Sequence, residues 1–300
     1  MAVKDMGASV LSRLKKQAKQ TKMNYQTCLQ LFVQEEFLRR LEVSGYVNNF
    51  VLKGGMFLYT ISKYEGRPTM DIDFMLKRIS NDIEELKEIV AKICEADTHN
   101  DYIEMKVTGA KNITPEKKYP GVSINMMAYI KNVRIPFSVD IGVDDVIIPG
   151  MVMRTVPTRL DGFKEPCVYT YSLESAMAEK FEAILKRMTA TSRMKDFYDL
   201  FYWSQMFDFD GRVLLEAIFE TLQHRGTPYE INSLKQIRAF DQNKFLCKLW
   251  NNYNPGPMIE KPDFSTVLIQ IEKFIGPVYD AMLRENEFLK KWYSKKSMWQ

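Results

Sequence analysis

The chain has 300 residues, 46% hydrophobic and 27% charged, with a net charge of +4. That is ordinary globular composition with room for one large domain or two moderate ones. No run approaches the roughly 18 consecutive apolar residues of a membrane span, and the opening MAVKDMGASVLSRLKKQAKQ lacks the apolar core of a secretory signal. Cys28, Cys94, Cys167 and Cys247 form no CxxC pair, which suggests neither a zinc site nor a disulfide framework. The expectation is a cytoplasmic protein with no membrane partner. With only His99 and His224, histidine-centred chemistry is not expected.

The charge is unevenly spread. Residues 1–22 carry Lys4, Arg13, Lys15, Lys16, Lys19 and Lys22 against Asp5, and the last eleven residues add Lys290, Lys291, Lys295 and Lys296. The middle of the chain is therefore acidic. Basic ends suit a polyanionic partner; they also read as solvated helix faces and a soluble tail.

In chain order, residues 9–22 and 24–43 read as helices, the second capped by Asn24 and carrying Leu29, Phe32, Val33 and Leu41 at helical spacing. NNFVLKGG reads as a short strand running into a glycine turn, and TMDIDFML as a strand with one acidic and one apolar face. NDIEELKEIVAKICEA starts like a capping box, Asn81 with Glu84 three later, over a stripe of Ile83, Leu86, Val90 and Ile93. Strand-like runs follow at 103–108, 122–130 and 134–141. A Pro/Gly-bearing stretch near 149–166 then separates this mixed region from a helical remainder that begins near 172, with breaks near 208–211, 225–230 and 254–262. The division expected is a helical lead-in (1–45), an α/β core (46–165) and a helical C-terminal domain (166–300).

Asp71 and Asp73 stand two apart on a strand, so they share a face while Ile72 and Phe74 take the other. Two such carboxylates can converge on a hard divalent ion that completes its shell with substrate phosphates. Gly54 and Gly55, just after a strand, let backbone N–H groups approach a phosphate. Asp140, at the end of RIPFSVDIG, offers a third carboxylate for a two-metal site. No GxxxxGK[ST] loop and no GxSxG elbow is present.

In SAMAEKFEAILKRM the apolar stripe is Met177, Phe181, Ile184, Leu185 and Met188. Lys180 and Arg187 lie on its margin, and Lys186 points away. The two marginal cations read either as phosphate ligands or as side chains snorkelling from the core edge. In SRMKDFYDLFYW, Asp196 and Asp199 sit on an aromatic-rich helix where Arg193 or Lys195 could be their partners.

Taken in order, SRLKKQAKQTKMNYQTCLQLFVQEEFLRRLEVSGYVNNFVLKGG, RPTMDIDF, RIPFSVDIGVDD, AEKFEAILKR and SRMKDFYDL resemble the AbiEii/AbiGii family of nucleotidyltransferase toxins, within the DNA polymerase β-like superfamily. The similarity runs over about residues 9–205. The resemblance implies an α+β fold, with a polymerase-β-like core of mixed sheet and flanking helices plus a helical C-terminal half. It implies Gly54 and Gly55 as the phosphate-side turn, Asp71 and Asp73 as metal ligands, and Lys180 and Asp196 as further active-site residues; Asp140 is a weaker carry-over. Many superfamily members have Gly–Ser at the first motif, where this chain has Gly55. The expected function is that of a type IV toxin–antitoxin or abortive-infection toxin, dependent on Mg²⁺ or Mn²⁺. It would transfer NMP from NTP to an RNA such as a tRNA 3′ end, and a separately encoded antitoxin would be its partner. Two alternatives stand beside this: an acceptor that is a protein or small molecule, and a non-catalytic nucleotide-binding module.

Overall fold

A computed structural model describes residues 5–113, 120–256 and 259–300; Lys4 of the basic N-terminus lies outside them. The chain divides into two compact units. The first is Met1–Asp144, Met151–Tyr171 and Gly256–Met258; the second is Asp145–Gly150, Ser172–Pro255 and Ile259–Gln300.

In the first unit, helices α1 (Met6–Thr21), α2 (Tyr25–Val43), α3 (Gly54–Ile61) and α4 (Ile83–Glu95) flank a seven-stranded sheet. Its strands are β1 (Phe50–Lys53), β2 (Asp71–Leu76), β3 (Ile103–Ile113), β4 (Gly121–Ile130), β5 (Val133–Gly142), β6 (Val152–Thr155) and β7 (Cys167–Thr170), in the order β3-β4-β5-β2-β1-β7-β6. The sheet is mixed. β2 runs parallel to β5 and β1 parallel to β7, while the other neighbours are antiparallel. Alternation along β2 puts Ile72 and Phe74, both fully buried, on the core face and Asp71 and Asp73 on the other. The Pro/Gly-bearing stretch near 149–166 does not end this layer, because β6 lies within it and pairs with β7.

Two capping details refine the reading. Asn24 does cap α2, its side chain accepting from the Gln26 N–H at 2.7 Å. The cap of α4 is Asp82 rather than Asn81: the Asp82 carboxylate accepts from the N–H groups of Glu84 and Glu85, where it also meets the positive end of the helix. Asn81 instead donates to the Pro120 carbonyl.

Helix α2 is not an ordinary amphipathic helix. Gln34, Glu35, Glu36, Arg39 and Arg40 are all buried, so its polar side is held inside by polar partners. Glu36 takes bonds from Arg39 at 2.7 Å, Arg40 at 3.2 Å and Asn100 at 2.8 Å. Glu35 is less well compensated. Its Oε2 accepts from the Arg159 N–H at 3.2 Å, its Oε1 has no hydrogen-bond partner among the described residues, and the nearest guanidinium nitrogens are 3.9 and 4.0 Å away. Burial raises its pKa to about 7, against the opposing pull of Arg159 and Arg39.

The folded state thus binds the Glu35 proton more tightly than the unfolded chain does. This group favours folding below its unfolded pKa, and that contribution is lost as pH rises towards 7. The span corresponds to about 3 kcal/mol. Urea unfolding at pH 5, 6, 7 and 8 should therefore show Glu35→Gln with a flatter decline of stability than the parent. Parallel curves would rule out Glu35 as the source.

In the second unit α5 (Leu173–Arg187), α6 (Met194–Met206), α7 (Gly211–His224), α8 (Ser233–Arg238), α9 (Lys244–Asn252) and α10 (Phe264–Leu283) carry the helical pattern expected from about residue 172. A small sheet of β8 (Phe209–Asp210), β9 (Lys291–Tyr293) and β10 (Met298–Trp299) was not expected from the sequence. The basic C-terminal residues are thus a folded hairpin rather than a loose tail. Trp292 is fully buried and donates to the Ser204 carbonyl at 2.6 Å.

Candidate functional site

Strand register assembles the first cluster. Lys53 of β1 faces Asp73 of β2, Asp73 faces Asp140 of β5, and Asp140 faces Ser123 of β4. Paired residues on neighbouring strands point to one side and stand about 4.8 Å apart, so four polar side chains from four strands form a row across one face of the sheet. Asp71, two residues before Asp73, lies on the same face and is exposed. Ser123 donates to Asp140 Oδ1 at 2.6 Å, fixing that carboxylate.

The glycine pair belongs to the same place. Gly54 and Gly55 do not form a free turn; they are the first residues of α3, directly after β1. Gly54 has φ +64°, and a Cβ on it would sit 2.1 Å from Asp73 Oδ2. Backbone geometry and the carboxylate both exclude a side chain there. A Cβ on Gly55 would lie 2.7 Å from Thr69 Oγ1, so the Thr69 side chain occupies the space that a serine would need. Lys53, at the cap position of α3, makes no side-chain capping bond, and the approach of Gly54 to Asp73 sets the positive end of the helix beside this carboxylate row. Gly54→Ala should lower thermal stability and displace Asp73, with transfer falling at least about tenfold. An unchanged rate and melting temperature would show that the close approach does not exist in solution.

Lys53 was not singled out from the sequence, since a lysine ending a strand carries no signal of its own. Its Nζ lies 3.8 Å from where a Cβ on Gly142 would be and 5.2 Å from the Tyr171 ring centre. The side chain therefore reaches over the sheet towards β5, using space that glycine at 142 leaves open. Ser123 was missed for a similar reason: only register reveals it.

The second unit holds a cluster of its own residues. Lys180 on α5 contacts Asp199 Oδ2 at 2.5 Å and Asp196 Oδ1 at 3.4 Å, both carboxylates lying on α6. Arg193 Nε holds the other Asp196 oxygen at 2.6 Å. Both acids are almost wholly buried, and the Lys180 side chain is 11% exposed. The arginine that the sequence offered as a partner is thus used; Lys195 is exposed. Arg187 is exposed on the last turn of α5 and donates to the Ala183 carbonyl at 3.4 Å. Lys186 is 51% exposed and 3.9 Å from Glu182, as its position on the helical wheel requires.

Among the described residues no three His, Cys, Asp or Glu side chains are grouped closely enough to hold a metal ion by themselves. The neighbouring Asp73 and Asp140 carboxylates still fit a hard divalent ion that takes its other ligands from phosphate and water, which is how magnesium is commonly bound.

No curated protein sequence matches the chain. Among solved structures it is similar to MenT4, a nucleotidyltransferase toxin from Mycobacterium tuberculosis H37Rv, at 17% identity and a TM-score of 0.57, covering 92% of this chain and 91% of that one. It is also similar to JHP933 from Helicobacter pylori, at 12% identity and a TM-score of 0.47, covering 84% and 94%. The MenT4 likeness concerns the fold, a mixed sheet with helices. The family model of the nucleotidyl transferase AbiEii toxin, of type IV toxin–antitoxin systems, matches residues 36–274. That span contains both clusters and most of the chain, and the protein therefore belongs to the AbiEii family of nucleotidyltransferase toxins.

Proposed function

We propose that this enzyme transfers NMP from NTP to an RNA acceptor, such as a tRNA 3′ end, in a reaction that depends on Mg²⁺ or Mn²⁺. The observation that carries the reading is the seat of Gly54 against Asp73, which sets the start of α3 beside strand-borne carboxylates. Asp73 and Asp140, with Asp71 on the same face, would hold the metal. When bound, the metal orients the triphosphate and lowers the pKa of the attacking hydroxyl. The first N–H groups of α3, at Gly54 and Gly55, would receive phosphate oxygens. Thr69 would offer the hydroxyl that position 55 lacks, and Ser123 keeps Asp140 aimed. Lys53 would supply positive charge next to the carboxylates.

From the second unit, Lys180 would neutralise charge on the leaving pyrophosphate, with Arg187 as a further phosphate ligand. Asp196, bonded to both Lys180 and Arg193, acts on this reading as the positioning residue for Lys180. A type IV toxin acts with a separately encoded antitoxin, and a nucleotide added to an essential RNA end would stop its use without degrading it. Cytoplasmic action fits this chemistry, and no helix among the described residues is long and apolar enough to cross a membrane.

The test is incubation of the protein with each α-labelled NTP, divalent metal and total RNA, beside whole-cell extract. Label in RNA one or a few nucleotides longer supports the reading. Label only in protein or small molecules moves the acceptor to the alternative class. Shortened RNA would overturn transfer in favour of cleavage.

A further inference from the structure

The C-terminal hairpin has a consequence beyond transfer chemistry. Its inner side is fixed by a cluster of rings: Trp292 and Trp299 pack on Phe274 with centres 5.0 and 5.9 Å away, and Phe288 meets Trp299 at 4.9 Å. The Trp299 indole donates to the Phe274 carbonyl at 2.9 Å. The strand entry is equally fitted. Gly211 donates its N–H to the Lys290 carbonyl at 2.8 Å, and a Cβ on Gly211 would lie 2.5 Å from that oxygen. The turn between the strands is pinned by Asp208, which accepts from the Ser294 N–H at 2.7 Å and hydroxyl at 2.8 Å. Those bonds hold its carboxyl below the usual range.

Anchored in this way, the outer side is a rigid platform. Lys291 and Tyr293 share its face because residues two apart on a strand do, and both are exposed, as are Lys290, Lys295 and Lys296. The Lys296 ammonium stands 5.5 Å from the Tyr293 ring centre. Two acids are neighbours. Asp210, in register with Lys291, has its carboxylate turned into the start of α7, accepting from the N–H groups of Arg212 and Val213. Asp208, which feels the Lys295 charge, is taken up by Ser294. A soluble surface needs the lysines alone. A tyrosine ring held outward among them is what a nucleobase stacks on while phosphates meet the cations.

We propose that this hairpin face binds single-stranded RNA, with Tyr293 stacking on a base and Lys290, Lys291, Lys295 and Lys296 holding the backbone. The inference rests on the reading that the acceptor is RNA and deepens it by naming a surface that retains the acceptor.

The experiment measures anisotropy of a fluorescein-labelled 12-nucleotide single-stranded RNA with the full chain in EDTA and no NTP. The Asp73→Asn variant serves as the common background, so that the probe is never extended. Replacing the four lysines by glutamine should weaken binding at least about tenfold at 0.15 M salt and reduce the log–log salt slope by roughly 2 to 3. Tyr293→Leu should cost about tenfold with the slope kept.

Photo-crosslinking of a 4-thiouridine RNA to the unmutated chain, read by mass spectrometry, gives an answer that cannot be confused with misfolding. Label in the 290–300 peptide supports the surface, and label confined to other peptides overturns it. Undiminished binding by a folded four-lysine variant also overturns it, as does preference for phosphatidylserine vesicles that RNA fails to displace. Binding that persists while no transfer is found for the parent enzyme would instead refute the catalytic reading and leave the surface standing.

Discussion

Asp73→Asn should reduce nucleotide transfer at least about 100-fold, the scale on which deleting one preorganised electrostatic group acts, with the protein still folded. The two outcomes separate because of where the residue sits. Asparagine has the same shape, so it keeps the fit against Gly54, where any Cβ would lie 2.1 Å from Asp73 Oδ2. What it removes is one negative charge and one anionic oxygen from the row Lys53–Asp73–Asp140–Ser123. Asp140, still bonded to Ser123, then offers an ion a single carboxylate in register. Without metal, relief of the repulsion from Asp140 offsets the lost attraction to Lys53, which faces Asp73 in register, so the melting temperature should hold within about 3 °C. Asp71→Asn should act in the same direction. Isothermal titration of Mn²⁺ with and without NTP, alongside the transfer rate, checks both halves. Wild-type turnover in Asp73→Asn would move the chemistry away from this strand, and a large loss of stability would make the carboxylate structural.

Local chemistry was readable in the sequence wherever it depends on residues close in the chain. The period-two alternation of TMDIDFML placed Asp71 and Asp73 on one face, and the Asn24 cap and the helical start near 172 are equally local signals. Spatial neighbours were not readable. That Asp73 stands between Lys53 and Asp140 depends on β2 entering the sheet between β1 and β5, and a parallel β2–β5 pair leaves no mark in either strand. The buried polar side of α2 was hidden for a related reason. Glu36 looks like a solvated charge until Arg39, Arg40 and Asn100 are seen to enclose it. At residues 290–300 the lysines masked Trp292, which is buried, and Trp299, which packs on Phe274; together they turn the apparent tail into a hairpin. At α4 the difference is one of offset alone: Asn81 and Asp82 are both good caps, and the Asp82 carboxylate takes the position.

Lys180→Met is the second change expected to have a large effect, and it must be separated from simple unfolding. Lys180 stands 2.5 Å from Asp199 and 3.4 Å from Asp196, both carboxylates nearly inaccessible to water. Methionine keeps much of the side-chain length and removes the charge. Taking the cation from buried anions typically costs about 3–5 kcal/mol, which for a chain of this size is a fall in melting temperature of roughly 10 °C. A lost rate in the single variant therefore says little about catalysis. Lys180→Met combined with Asp199→Asn removes the opposing charge as well and should recover most of the melting temperature, with Arg193 still holding Asp196 at 2.6 Å. If Lys180 meets the triphosphate, the folded double variant should remain at least about 100-fold slow, with the Asp199→Asn single variant retaining most of its rate. Recovery of transfer together with stability would make Lys180 a purely structural ion-pair partner. Lys186→Ala is the internal control: its half-exposed ammonium lies 3.9 Å from Glu182, a pair worth under about 1 kcal/mol, and both rate and melting temperature should stay at the parent values.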